Sequence, residues 1–316
     1  RANPLSGEVV TMAAAASVGD VNAAADAAGR AFNAWSQTGP GERRAKLLKA
    51  AELMEARQDD FIDRMIDETG ATPGWAGFNV KVAADVLREA AALTTQIHGD
   101  IIPSNGPDSM AMGVRVPCGV VVGIAPWNAP IILGTRAIAT PLACGNTVIL
   151  KASEQCPATH HLIGEVLQEA GFGGGIVNVI TNAPDNAADV VSALIAHPAV
   201  RRINFTGSTG VGKIIAEQAA KQLKPVLLEL GGKAPFLVLD DADIDAAVDA
   251  AIFGAFFNQG QICMSTERVI VDQRIADAFV DKFAARAKAL KAGDPRDERN
   301  TLGTLINAAS GEKLNV

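Results

Sequence analysis

The sequence predicts an α/β protein: a doubly wound parallel sheet followed by a second, partial α/β unit. Two observations carry this. From Val120 onward, apolar β-branched runs (VVVGI, NTVIL, GIVNVIT, RRINF, PVLLEL) alternate with amphipathic stretches of helical length. Strands that are apolar on both sides must be covered on both faces, as parallel strands packed between helices are. The composition agrees, since 316 residues with 48% apolar and 20% charged side chains are ample for about two domains.

Taken in order, NPLSGEVVT (residues 3–11) reads as a turn leading into a short strand. Asp20 is then expected to cap a helix in which Val21, Ala24, Ala28, Phe32 and Trp35 recur at helical spacing. Two or three helices over Glu42 to Glu68, stopped by Gly70, and another over Val80 to Thr95 complete an opening helical layer. Between the strands, helices are expected over PIILGTRAIATPLA, over PATHHLIGEVLQEAG, and near Asn186 to Ala196. FLVLD, then Asp243 to Phe257, Glu267 to Asp272 and Ile275 to Leu290, open the second unit.

Charge and cysteine usage exclude several function classes. A net charge of −7 and a pI near 5.2, with no lysine and arginine cluster, argue against a nucleic-acid partner. Four cysteines without a C-x-x-C pair, and four histidines, support neither a disulfide framework nor a metal site, so a reducing cytoplasm is expected. There is no apolar run of membrane length, so no membrane association is expected. The chain opens on Arg1 without a basic-then-apolar leader, and a lost or processed N-terminus is the expectation.

Ligands of a doubly wound sheet bind beyond the carboxyl ends of its strands, and the distinctive residues fall there. FTGSTGVGK (205–213) follows RRINF and opens a helix near Val211; its glycines allow close backbone approach, and free helix-start N–H groups favour a phosphate. Gly207 to Lys213 also fits the start of a P-loop, but Ile214 stands where a Mg²⁺-binding hydroxyl is needed. Lys151 and Glu154 follow NTVIL, where they could bind a ribose diol or be no more than a solvated pair. Asn128, between Pro126 and Pro130, could aim an amide at a developing oxyanion or simply satisfy its own turn. Glu229, after PVLL, could be a general base of raised pKa or the partner of Lys233.

Cys263 lies in a polar loop, FFNQGQICMSTE, where a reactive thiol is to be sought. Cys118, Cys144 and Cys156 sit in apolar or proline-bearing runs and are expected to be structural.

In this order and spacing, APWN, KASE, FTGSTGVG, LELGGK and FFNQGQIC resemble the aldehyde dehydrogenase superfamily over the chain from Asn3 onward. The stretch PWNAPIILGTRAIATPLACGNTVILKASE is most similar to the bacterial aromatic-aldehyde branch, the salicylaldehyde and vanillin dehydrogenases. The resemblance implies a Rossmann-like NAD-binding domain with its helical layer over residues 1–228, and a partial catalytic domain over 229–316. It implies Cys263 as nucleophile, Glu229 as base, and Asn128 with the Cys263 N–H as oxyanion hole. For NAD it implies Ile124, Ala125, Pro126, Trp127, Lys151, Glu154, Phe205, Gly207, Ser208, Gly212, Leu230 and Gly231.

Two further residues are candidates for substrate selection. Arg136 is the sole charge between Ala129 and Leu150, and meets either a buried carboxylate or a polar substituent of the aldehyde; Trp75 is either an aromatic wall or ordinary packing. The family's later E-x-F-G-P segment and the C-terminal strand of its oligomerisation arm are not among these residues, which leaves the usual dimer or tetramer without that strand. Two outcomes are therefore expected as alternatives: NAD-dependent oxidation of an aromatic aldehyde through a cysteine thioester, or an NAD-binding unit with residual thiol esterase activity.

Overall fold

The computed structural model describes residues 1–314. Ser17, rather than Asp20, caps the first helix, α1 (Val18–Trp35); Asp20 is the third helical residue, and its carboxylate reaches back to the Ser17 N–H in a reciprocal capping box. α2 (Pro40–Ala56), α3 (Gln58–Thr69) and α4 (Pro73–Leu93) follow. Gly70 ends α3 in the left-handed conformation (φ 70°). α4 starts at Pro73, well before Val80, because Thr72 caps it and proline suits a first turn. A hairpin of β1 (Asp100–Ile102) and β2 (Ala111–Gly113) comes next, and the sequence patterning did not disclose it.

The main sheet is made of β3 (Val120–Ile124), β4 (Thr147–Lys151), β5 (Val177–Ile180), β6 (Val200–Gly207) and β7 (Val226–Leu230), all parallel, in the order β5-β4-β3-β6-β7. Its connections are α5 (Pro130–Ala143), α6 (Pro157–Glu169), α7 (Ala187–Ala196) and α8 (Thr209–Lys221). The chain runs outward from β3 to β5, then returns to the other side of β3 with β6, so the order reverses between β3 and β6. That reversal opens a crevice at the strands' carboxyl ends.

The expected single helical layer is in fact split. Val21, Ala25 and Ala28 of α1 pack with α7 residues Val190 and Leu194 on one face of the sheet, whereas Leu47, Phe61 and Leu87 of α2–α4 join α5 and α6 on the other. The α2–α4 bundle packs on α5 and α6, while α1 packs beside α7 on the opposite face. Glu68 ties the bundle to the sheet. Its fully buried carboxylate accepts the Ala158 and Thr159 N–H groups at the start of α6, each at 2.9 Å, and the Thr159 hydroxyl at 2.7 Å.

β8 (Ala234–Val238), α9 (Ile244–Phe256), β9 (Thr266–Val271) and α10 (Ala276–Ala289) form a small parallel unit around Val238, Val248 and Phe279. α11 (Ala308–Leu314) ends the described chain. We propose a two-part division like the expected one, with its junction moved from 228/229 to the glycines 231–232, because β7 runs to Leu230 as the last strand of the main sheet. Among the described residues no helix is long and apolar enough to cross a membrane, and no group of three metal-ligating side chains occurs.

Candidate active site

Every strand that borders the crevice delivers one of the marked residues at its carboxyl end: Ile124 on β3, Lys151 on β4, Gly207 on β6, and Glu229 with Leu230 on β7. Two cavities lie there. One, of about 590 Å³, is bordered by Ile124, Ala125, Lys151, Glu154, Phe205 and Ser208 among others. The second, of about 350 Å³, brings Asn128, Glu229 and Cys263 together from three separate parts of the chain. Pro126, Trp127, Thr206 and Gly207 border both, so the two form one continuous trough.

The larger cavity fits a dinucleotide. Lys151 is only 5% exposed and its Nζ donates to Glu154 Oε2 at 3.2 Å, so this is a held pair at the cavity wall and not a solvated one. α8 begins beside it, and its N-cap Ser208 uses its hydroxyl on the Val211 N–H at 3.4 Å. The earlier N–H groups of α8 remain open to an anion, and a side chain placed at Gly210 would meet only open space. Val191, Val211 and Ile214 add an apolar wall that the sequence reading missed. Val211 and Ile214 sit one turn apart on α8 and read as a buried helix face, yet they are 46% and 57% exposed.

Gly212, Leu230 and Gly231 stand apart from the other expected cofactor residues in where they lie. None borders the larger cavity; Leu230 and Gly231 border the smaller one, and Gly212 is buried where a methyl group would come within 2.7 Å of Leu230 Cδ2. Gly212 thus serves the packing of α8 on β7.

In the smaller cavity Cys263 is exposed and free, as a nucleophile must be. The other thiols differ. Burial pushes the Cys156 thiol well up, reinforced by the charge of Glu68, and burial also raises Cys144. The exception is Cys118, which is exposed rather than packed, its backbone N–H and thiol both turned to Asn146 Oδ1.

Asn128 does not satisfy its own turn. Its Oδ1 is buried without a partner and its amide N–H₂ meets no acceptor among the described residues, while its backbone carbonyl is held by Trp75 and Asn258. The Cys263 N–H likewise donates to no acceptor among the described residues. Both donors belong to residues that border the same cavity, and both are without a protein acceptor among the described residues.

Glu229 is exposed rather than in apolar surroundings: β7 is the edge strand, and this side chain borders the smaller cavity. Lys233 is paired with Glu267 instead, so the expected alternative partner of Glu229 is already taken.

Arg136 meets no buried carboxylate among the described residues. It is exposed, and with Arg115, Arg202 and Glu229 it borders a third cavity, of about 720 Å³. Trp75 is 1% exposed and borders none of the cavities described, so it is not an aromatic wall here; its Nε1 donates to the Asn128 carbonyl at 2.9 Å.

The turn before Cys263 has an unusual backbone. Asn258 (φ 48°), Gln259 (φ 57°) and Gly260 (φ 71°) are consecutive left-handed residues, two of them not glycine. Gln259 Nε2 donates to Thr304 O at 2.8 Å, and the Thr304 N–H donates to Gly70 O at 3.1 Å. Gln261 Oε1 accepts the Ile306 N–H at 3.0 Å. The turn is therefore pinned from outside at several points, which such strain requires.

A doubly wound dinucleotide-binding architecture with a thiol at the end of its crevice describes this chain at the level of class. Comparison with known proteins takes the assignment further: the description "Aldehyde dehydrogenase family" matches residues 1–315, and the chain belongs to that family. It is 62% identical to a vanillin dehydrogenase of Pseudomonas fluorescens over 314 residues, which is 99% of this chain and 65% of the relative. The crystal structure of a salicylaldehyde dehydrogenase from Pseudomonas putida G7 complexed with salicylaldehyde superposes with a TM-score of 0.97 at 51% identity, over 100% of this chain and 65% of that one. An NAD-dependent benzaldehyde dehydrogenase from Corynebacterium glutamicum gives a TM-score of 0.93 at 39% identity, over 99% of this chain and 68% of that one. The chain thus spans 65% of the length of the vanillin and salicylaldehyde dehydrogenases it matches.

Proposed function

We propose that the protein oxidises an aromatic aldehyde to its carboxylic acid, with NAD as the cofactor. The observation that carries this is the continuous trough, which leads from the Lys151–Glu154 pair to a cavity shared by Cys263, Asn128 and Glu229. Similarity to vanillin, salicylaldehyde and benzaldehyde dehydrogenases supports the aromatic class.

Cys263, as thiolate, attacks the aldehyde carbon to give a thiohemiacetal, while the carbonyl oxygen takes up the charge facing the Asn128 amide and the Cys263 N–H. NAD, when bound, supplies the hydride acceptor that leaves the cysteine as a thioester. Glu229 then accepts a proton from water, whose oxygen displaces Cys263 and releases the acid. Lys151 and Glu154 would hold the ribose, and the open start of α8 the diphosphate. Arg136, at the third cavity with Glu229, would receive a polar ring substituent such as a phenolate.

A second reading, an NAD-binding unit with residual thiol esterase activity, rests on the exposed Cys263 sharing a cavity with Asn128 and Glu229, a set that can hydrolyse an ester without a hydride acceptor. One experiment separates the two: NADH formation by the purified protein with vanillin, salicylaldehyde, benzaldehyde and a short aliphatic aldehyde, beside Cys263→Ala. Cysteine-dependent NADH with a preference for the aromatic aldehydes supports the dehydrogenase. NAD binding with ester hydrolysis but no NADH supports the second reading.

A further inference from the structure

The carbonyl oxygen of Asn128 receives two side-chain N–H donors, Trp75 Nε1 at 2.9 Å and Asn258 Nδ2 at 3.2 Å. They arrive from different elements, Trp75 from the first turn of α4 and Asn258 from the left-handed turn that leads to Cys263. Neither borders the cavity that holds Asn128 and Cys263, and they are 1% and 5% exposed, so neither reaches substrate.

We propose that Trp75 and Asn258 are positioning residues that aim the Asn128 amide at the oxyanion, and that Asn258 in addition sets the spacing between the oxyanion loop and the nucleophile loop. The reading rests on the proposed role of Asn128. The Asn128 side chain forms no hydrogen bond among the described residues, so nothing attached to the amide itself fixes its direction. Its direction is inherited from the backbone, and the two bonds on its carbonyl fix the peptide plane that follows it.

Each donor is itself held. The Trp75 ring stacks on Phe78 at 5.6 Å between centroids and meets Phe257 edge-on at 5.0 Å. Phe257 immediately precedes Asn258, so both donors belong to one packed cluster. Asparagine also suits position 258 for a backbone reason, because it is among the few non-glycine residues that adopt φ 48° at small cost. One residue thus supplies both the left-handed turn and the donor.

The test needs no cofactor, because hydrolysis of p-nitrophenyl acetate uses only Cys263, the oxyanion donors and, for release of the acyl group, the water activated by Glu229. Asn128→Ala removes the amide and keeps the carbonyl; Trp75→Phe removes one donor and keeps the ring packing; Asn258→Gly removes the other and keeps the left-handed turn. Asn128→Ala is expected to slow the hydrolytic kcat by about 10²-fold to 10³-fold. Trp75→Phe and Asn258→Gly are each expected to slow kcat by about fivefold to tenfold with KM within about twofold. Alkylation of Cys263 by iodoacetamide should proceed at the wild-type rate in all three. Placed on Asn128→Ala, either change should cost nothing further, since there is no longer an amide to aim.

Wild-type hydrolysis by Asn128→Ala would remove the oxyanion assignment and this inference with it. A slow Asn128→Ala beside wild-type Trp75→Phe and Asn258→Gly would overturn the positioning role alone. Equal losses in both backgrounds, or alkylation slowed in step with hydrolysis, would also overturn it, showing that the two residues support the fold or the thiol loop rather than the amide.

Discussion

The backbone N–H of Ser153 donates to Nδ1 of His160 at 3.0 Å. An N–H can only donate, so Nδ1 is unprotonated, and the proton sits on Nε2, which donates to the Pro130 carbonyl at 3.1 Å. A single neutral imidazole thereby joins the loop that carries Glu154 to the helix start that follows Asn128.

Burial pushes the His160 imidazole down to about 3, and the nearby Lys151 charge works in the same direction. In the unfolded chain the group takes up its proton near pH 6.5. Between about 6.5 and 3 the unfolded state therefore binds more protons, and stability falls with falling pH; above about 6.5 the contribution is complete and constant. Urea midpoints from pH 7 to pH 4 should fall less steeply in His160→Gln than in the wild type, each referred to its own value at pH 7. Parallel curves would show that His160 does not set the acid limit.

Glu229→Gln keeps the shape of the side chain and removes the base. With an aromatic aldehyde and NAD, the first-turnover burst of NADH should survive while the steady-state rate falls by about 10²-fold or more. A burst and steady state slowed equally would place Glu229 in acylation instead.

Glu154 faces the larger cavity beside Lys151. A carboxylate there disfavours the additional phosphate of NADP. Replacing it by glutamine should narrow the affinity gap between NAD and NADP by about tenfold, the size of one unfavourable charge contact of about 1.4 kcal/mol. Fluorescence titration with both cofactors measures it, and an unchanged ratio would assign the discrimination elsewhere.

Arg136→Ala should penalise salicylaldehyde more than benzaldehyde in kcat/KM, by about tenfold if a charged hydrogen bond to the ring substituent is lost. An equal loss for both aldehydes would leave Arg136 as a solvated cation at the rim of its cavity.

Gly123, the fourth of the five residues of β3, has the Cβ of Ala137 so near that a methyl group there would come within 2.7 Å of it and 3.3 Å of the Ala137 carbonyl. Gly123→Ala must therefore push α5 off the sheet, at a cost of about 1–3 kcal/mol in urea unfolding. Because α5 follows directly from Asn128, ester hydrolysis should also slow. Unchanged stability would mean that α5 can slide without loss.

The main sheet was legible because its inner strands β3 and β4 are buried at every residue and so are continuous in apolar character; VVVGI and NTVIL need no tertiary context to be recognised. Cys263 and Asn128 were legible because their loops follow such strands or helices and carry polar or proline-flanked residues. Less visible was anything decided by partners far along the chain. Trp75 looked like either packing or a substrate wall, and its hydrogen bond to Asn128 spans 53 residues. The β1–β2 hairpin was hidden because all of β1 is exposed, so its apolar residues carry no burial periodicity. Arg136 looked costly in an apolar helix, but it lies on the one side of α5 that the core does not cover.

The pinning of the Asn258–Gly260 turn has a kinetic consequence. Gln259 reaches the Gly70 carbonyl 189 residues away in the chain, and the Thr304 carbonyl 45 residues further on. Contacts of that separation are closed late, after local helices and neighbouring strands have formed. During refolding, esterase activity should accordingly lag behind recovery of far-ultraviolet circular dichroism, making Cys263 a natural clock for the final step of chain assembly.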